Sequence, residues 1–229
     1  MTAQPDILER MDRLIEEWQG KQDARHVFLG CYRLMTANML EAIDAGDFHD
    51  RAWITRLLHH FGGYYFDALT CFDCGDPVPR VWEQVHVATA RKELRTVQCL
   101  LLGVNAHINY DLVLTLYDLH KADWARLSPE QRRQRYEDHY RVNGVIADSI
   151  DRVQDELLAP GDPVMGWIDR ACGRLDEYLI AGLISRWRDE VWDRAGSLLM
   201  RGDHTERERL RRELEEEVLE RGRLLAWTP

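Results

Sequence analysis

A chain of 229 residues, 45% of them hydrophobic, is long enough to bury one large core, and nothing in its composition requires a second domain. A formal net charge of -10 at pH 7 argues against a nucleic-acid footprint and against a polybasic membrane surface. Five irregularly spaced cysteines fit reduced thiols better than a disulfide framework, and Cys71-x-x-Cys74 has no second pair with which to build a zinc site.

The opening MTAQPDILERMDRL lacks the basic end and apolar run of a signal peptide, so a cytoplasmic location is expected. From there apolar residues recur with a period near 3.6, and alternating strand-like runs are missing. A first helix is predicted from Asp6 to Trp18, with Ile7, Met11, Leu14, Ile15 and Trp18 on one stripe. A second runs from His26 to Ala45 and stops at Gly46; a third begins near Asp50 and ends before Cys74-Gly75-Asp76-Pro77. A short helix from Arg80 to Ala90 leads into a central one, Val97 to Leu119, which is apolar nearly all round and is expected to be wrapped by the others. Its longest unbroken apolar stretch, CLLLGV, is too short to span a bilayer. Ser128-Pro129-Glu130-Gln131 reads as a capping box opening a helix to Leu158, and Pro160-Gly161-Asp162-Pro163 breaks the chain, with Asp162 placed to cap the next helix. Helices continue to Met200, with a bend expected at Gly173. The charge-dense run after Gly202 carries a narrow stripe of Leu210, Leu214, Val218 and Leu225. The fold expected is therefore all-α: a single-domain helical bundle, residues 1–229, around a buried central helix, with 202–229 as a peripheral charged helix.

The central helix carries two polar stripes. Gln98, Asn105 and Asn109 share one, and His107, Asp111 and Asp118 lie nearly opposite. Polar groups inside an apolar helix need partners, because an unpaired buried amide costs about 1–3 kcal/mol and a buried carboxylate more. His107 and Asp111 form H-x-x-x-D, one turn apart on one face. Such a pair can ligate a metal, can act as a general base oriented by its carboxylate, or can be a buried hydrogen bond that locks the core. In HHFGGYYFDAL of the third helix, His60, Tyr64 and Asp67 share a face and offer a second half-site, from which His60 and Asp67 would join His107 and Asp111 in holding zinc, manganese or iron. His139 with Asn143 is a weaker candidate. Arg186, Arg188 and Trp192 in SRWRDEVWDRA read as an amphipathic helix that pairs its arginines with surface acids. No G-x-S-x-G, Walker loop, G-x-G-x-x-G or H-E-x-x-H occurs, so the common serine hydrolases, P-loop enzymes, dinucleotide oxidoreductases and zincins lack support.

At LLGVNAHINYDL the chain resembles a bacterial family, domain of unknown function 5995, which carries a similar N-A-H-I-N-x-D-L segment. YRLMTANMLEAIDAGDFHDRAWITRLLHHFGGYYFDAL, YRVNGVIADSIDRVQDEL and RDEVWDRAGSL are similar to its other blocks. The resemblance implies a shared fold and weight on Asn105, His107, Asn109 and Asp111, and names no reaction. A looser likeness, confined to H-x-x-x-D, is to zinc-dependent phospholipase C and the fungal single-strand nucleases; their further histidines and first-residue tryptophan are missing here. Three functions stay open. One is an enzyme acting on a small or lipid-like molecule by metal-dependent hydrolysis through His60, Asp67, His107 and Asp111. Another is a metal-free cyclase or isomerase with His107 as base, Asn105 and Asn109 as donors and Tyr64 beside them. The third is a non-catalytic ligand-binding or interaction protein.

Overall fold

The computed structural model describes residues 6–91, 93–156, 165–201 and 203–227, with side chains described outside 148–181. Its elements are helices throughout: α1 (Ile7–Gly20), α2 (Arg25–Ala45), α3 (Arg51–Cys74), α4 (Arg80–Thr89), α5 (Thr96–Ala106), a π turn (His107–Asp111), α6 (Leu112–Asp123), a 3₁₀ turn (Trp124–Arg126), α7 (Pro129–Glu156), α8 (Met165–Met200) and α9 (His204–Leu225). Among the described residues there is no strand.

Punctuation in the chain sets the boundaries. Gly46 and Gly75 end α2 and α3 at φ 83° and 75°, a left-handed conformation that a side chain would strain. Asp50 caps α3 by accepting from Trp53 N at 2.9 Å, and Asp203 caps α9 by accepting from Thr205 N at 3.1 Å. The capping box at Ser128 closes as expected: Ser128 N donates to Gln131 Oε1 at 2.9 Å and Gln131 N to Ser128 Oγ at 3.2 Å. The loop before α3 is held from a distance by fully buried Asp138 of α7, which accepts from the backbone amides of His49 and Asp50 at 2.8 Å each. α8 is continuous through Gly173. The expected Asp162 cap lies outside the described residues.

α5, the π turn and α6 form the central rod, against which α2, α3, α4, α8 and α9 pack. By length and composition the run Thr96–Arg126 is apolar enough to cross a membrane, which the unbroken stretch CLLLGV understated because Asn105 and His107 interrupt it. Most of it is buried inside the bundle. Burial also extends to α9, where Leu214, Val218, Leu219 and Gly222 are covered by α4 and α5.

Candidate functional site

The central rod departs from a plain α-helix at its polar residues. At His107–Asp111 the backbone widens into a π turn, with Leu112 N donating to His107 O. Single π turns inside helices recur at functional sites. Thr115, itself fully buried, donates to Asp111 O at 2.8 Å.

The two polar stripes serve different neighbours. Asn105 Nδ2 donates to Val218 O at 2.9 Å, and Asn109 Nδ2 donates to Asn105 Oδ1 at 3.1 Å. Gln98 Nε2 donates to Leu225 O at 3.0 Å and to Trp227 O at 3.1 Å. The amide stripe therefore clamps α9 and the residues after it onto the core. Asn105→Leu is expected to cost about 1–3 kcal/mol by leaving Val218 O and Asn109 without their partner. Faster hydrogen exchange in α9, with the rest of the chain protected, would register the loss; unchanged exchange there would count against the clamp.

The opposite stripe builds a buried network. His107 Nδ1 lies 2.9 Å from Asp111 Oδ2, and Trp82 Nε1 donates to the same carboxylate at 2.9 and 3.2 Å. His107 and Asp111 are 2% and 1% exposed, so both are shielded from bulk solvent. Burial pushes the His107 pKa well below its ordinary value and that of Asp111 well above it, while the Trp82 N–H opposes the rise at Asp111. Phe61 stacks on the imidazole at 3.6 Å between centroids and Tyr32 meets it edge-on at 4.4 Å. His107 Nε2 and Tyr32 Oη are both buried without a hydrogen-bond partner. Orphaned groups of this kind each cost about 1–3 kcal/mol and call for an explanation.

Beside this network lies an apolar cavity of about 160 Å³, bounded by α2, α3, the central rod, α7 and α8. Its wall is formed by side chains such as Phe28, Met39, Leu57, Val104 and Val142, with His107, Tyr32, Thr36 and Arg188 as its main polar members.

The other sequence candidates are placed elsewhere. His60 is exposed and its Nε2 meets Asp118 Oδ2 at 3.2 Å; Tyr64, half-buried, donates to the same oxygen at 2.7 Å. Tyr64 does not line the cavity, and Asp67 is exposed. The residue that joins His60 and Tyr64 is thus Asp118 rather than Asp67, because it approaches from α6 across the helix pair. Among the described residues no group of three or more His, Cys, Asp or Glu is arranged to hold a metal ion; His107 and Asp111 offer two ligands. Cys71 and Cys74 are free thiols.

His139 and Asn143 turn instead to Arg188. Arg186 is exposed and faces Glu190 at 3.7 Å, as an amphipathic helix predicts. Arg188 is only 3% exposed and stands in the cavity wall. The reading of both arginines as surface partners fails at Arg188, since two residues along a helix is more than half a turn. Trp82 and Arg188 are the members that sequence reading missed. Neither has a local signal, because each meets its partner through tertiary packing.

Two further histidines bear on pH. His86 is buried with both ring nitrogens unpartnered, and His120 with Nε2 unpartnered. Burial, aided by Arg25 and Arg135 respectively, pushes each pKa down to about 4. Both are neutral in the folded protein, whereas the unfolded chain protonates them near pH 6.5, so the unfolded state binds more protons between those values. Stability is therefore expected to fall as the pH drops from about 6.5 to about 4, by on the order of 3 kcal/mol per histidine at most. Urea unfolding across this window checks it; a His86→Phe variant should show a shallower fall, and an identical slope would remove His86 from the account.

A family model described as a family of unknown function, DUF5995, matches residues 5–228. No curated protein and no solved structure matches the chain at a significant level.

Proposed function

We propose, for a chain that belongs to the domain of unknown function 5995 family, that it binds a small, largely apolar molecule in the cavity and moves a proton to or from it through His107. The observation that carries this reading is the position of His107, hydrogen-bonded to buried Asp111, in the wall of an apolar cavity of about 160 Å³. An engineered cavity of about 150 Å³ with such a lining stays dry and takes up benzene, which sets the scale of the occupant.

The chemistry follows from the hydrogen bonds. When His107 carries its proton on Nδ1 and donates it to Asp111, a carboxylate that burial disfavours and the Trp82 N–H supports, the proton-free nitrogen is Nε2, the atom that has no partner in the protein. Asp111, held by Trp82, fixes the ring and stabilises the imidazolium that forms when Nε2 takes a proton. Nε2 is covered by its neighbours, so a swing of Tyr32 or Phe61, both of which line the cavity, brings ligand and base together. Tyr32 Oη is a second free donor at the same place. A divalent metal would find two of its ligands in His107 and Asp111 and would need the substrate or a rearranged side chain for the rest.

Acetophenone, a ring with an acidic methyl group, is a suitable probe. The wild type is expected to bind it and to exchange its methyl protons with heavy water at pH 7.5 in the presence of a chelator. His107→Gln should slow the exchange by about 100-fold or more while binding persists. Exchange that needs zinc, manganese or iron would favour the metal-dependent reading. Binding without exchange would leave a binding protein, and exchange unchanged in His107→Gln would end the role of the base.

A further inference from the structure

The buried arginine narrows what the cavity takes. Arg188 Nε donates to Asn143 Oδ1 at 2.8 Å and Nη2 donates to His139 O at 2.8 Å. His139 Nε2 donates in turn to Arg188 O at 3.0 Å, which leaves the Nδ1 lone pair facing Nη2 at 3.5 Å. All of these acceptors are neutral. Burial and the neighbouring guanidinium push the His139 pKa well below its ordinary value, so His139 adds no second charge. Among the described residues no carboxylate forms an ion pair with Arg188, and Nη1 has no hydrogen-bond partner. Burial lowers the arginine pKa to about 10, which leaves it a cation at neutral pH.

A buried cation without an ion-pair partner costs several kcal/mol; the neighbouring Asp189 favours the charged form from a distance, and the neutral contacts fix the orientation of the guanidinium without cancelling its charge. It lies in the wall of a cavity that is otherwise almost wholly apolar. A protein that needed only to fill this position would gain by placing leucine or methionine there.

We propose that Arg188 is the anion-recognising group of the cavity and that its ligand is a small monocarboxylate with an apolar body about the size of one aromatic ring; this rests on the reading of the cavity as a ligand site. The count of donors favours one charge. Nε and Nη2 are committed to Asn143 and His139, so Nη1 alone is free to meet a carboxylate oxygen. A phosphate dianion needs more donors than this wall supplies. The apolar body then lies against the side chains of α2, α3 and the central rod, on the wall that also holds His107.

Isothermal titration of the full chain at pH 7.5 with toluene, benzamide and benzoate tests this directly. Benzoate is expected to bind at least tenfold more tightly than benzamide, its neutral counterpart of equal shape. In Arg188→Met that preference should vanish while toluene still binds. If toluene and benzamide bind the wild type and benzoate is no tighter than benzamide, the anion assignment is wrong and the cavity remains a ligand site. If none of the three binds, the cavity reading falls and the assignment with it. Should Arg188→Met fail to fold, the benzoate-to-benzamide ratio in the wild type decides alone.

Discussion

Asp111→Ala is expected to lower the unfolding free energy by about 2–6 kcal/mol, from two buried hydrogen-bonding groups left unsatisfied at about 1–3 kcal/mol each. For a chain of this length the fall in Tm is on the order of 10 °C. The variant strands the Trp82 N–H and His107 Nδ1 away from bulk solvent, since His107 is 2% exposed. Asp111→Asn separates folding from chemistry. Its carbonyl oxygen can still accept from Trp82, and its amide can donate to His107 Nδ1, so most of the stability should remain. The ring must then carry its proton on Nε2, which removes the free lone pair. Acetophenone exchange should be lost in Asp111→Asn at near-normal stability. Denaturant unfolding and proton exchange, measured on the same preparations, give both readouts. An Asp111→Ala variant within 1 kcal/mol of wild type would mean that the network contributes little to the core.

Gly103→Ala is the second large effect. A Cβ at Gly103 would lie 2.3 and 2.5 Å from Phe28 Cγ and Cδ2 and 2.7 Å from Phe28 Cβ. A change of the Phe28 χ1 rotamer would relieve the first two contacts but not the third, because Phe28 Cβ is tied to the α2 backbone. α2 and the central rod must therefore move apart. Alanine gains about 1 kcal/mol over glycine in helix propensity, and overpacking of this kind costs about 1–3 kcal/mol and occasionally more. A net loss of about 2 kcal/mol is expected, with Gly103→Leu far worse. Phe28 also forms the cavity wall and meets His107 edge-on at 5.7 Å between centroids, so toluene binding should weaken in step. A Gly103→Ala protein more stable than wild type would show that the two helices have slack to give.

Much of the site was written in local spacing. His107 and Asp111 are four residues apart, and four residues bring side chains together on a helix whether or not the backbone widens there. The amide stripe was equally plain, and its separation from the imidazole face corresponds to two different neighbours, α9 on one side and α2, α3 and α4 on the other. Spacing failed where the partner comes from another element. His60, Tyr64 and Asp67 do share a helical face, yet the carboxylate that reaches the first two is Asp118, because α6 lies along that face. The π turn also left no signature, since HINYD has ordinary helical propensities and the widening shows only in the hydrogen-bond ladder.

Arg188 marks the limit most clearly. In SRWRDEVWDRA Arg186 has Asp189 and Glu190 three and four residues on, whereas Arg188 has Val191 and Trp192 at those spacings, so helical pairing with surface acids holds for the first arginine alone. Arg186 obeys; Arg188 is turned inward onto His139 and Asn143. The all-helical class, the helix ends and the polar content of the central rod follow from the sequence alone, because capping, glycine conformations and the 3.6-residue period act over a few residues. The cavity, the hydrogen bond from Trp82 to Asp111 and the inward turn of Arg188 onto His139 and Asn143 were decided by how the helices pack, since burial and long-range hydrogen bonds exist only once distant faces meet.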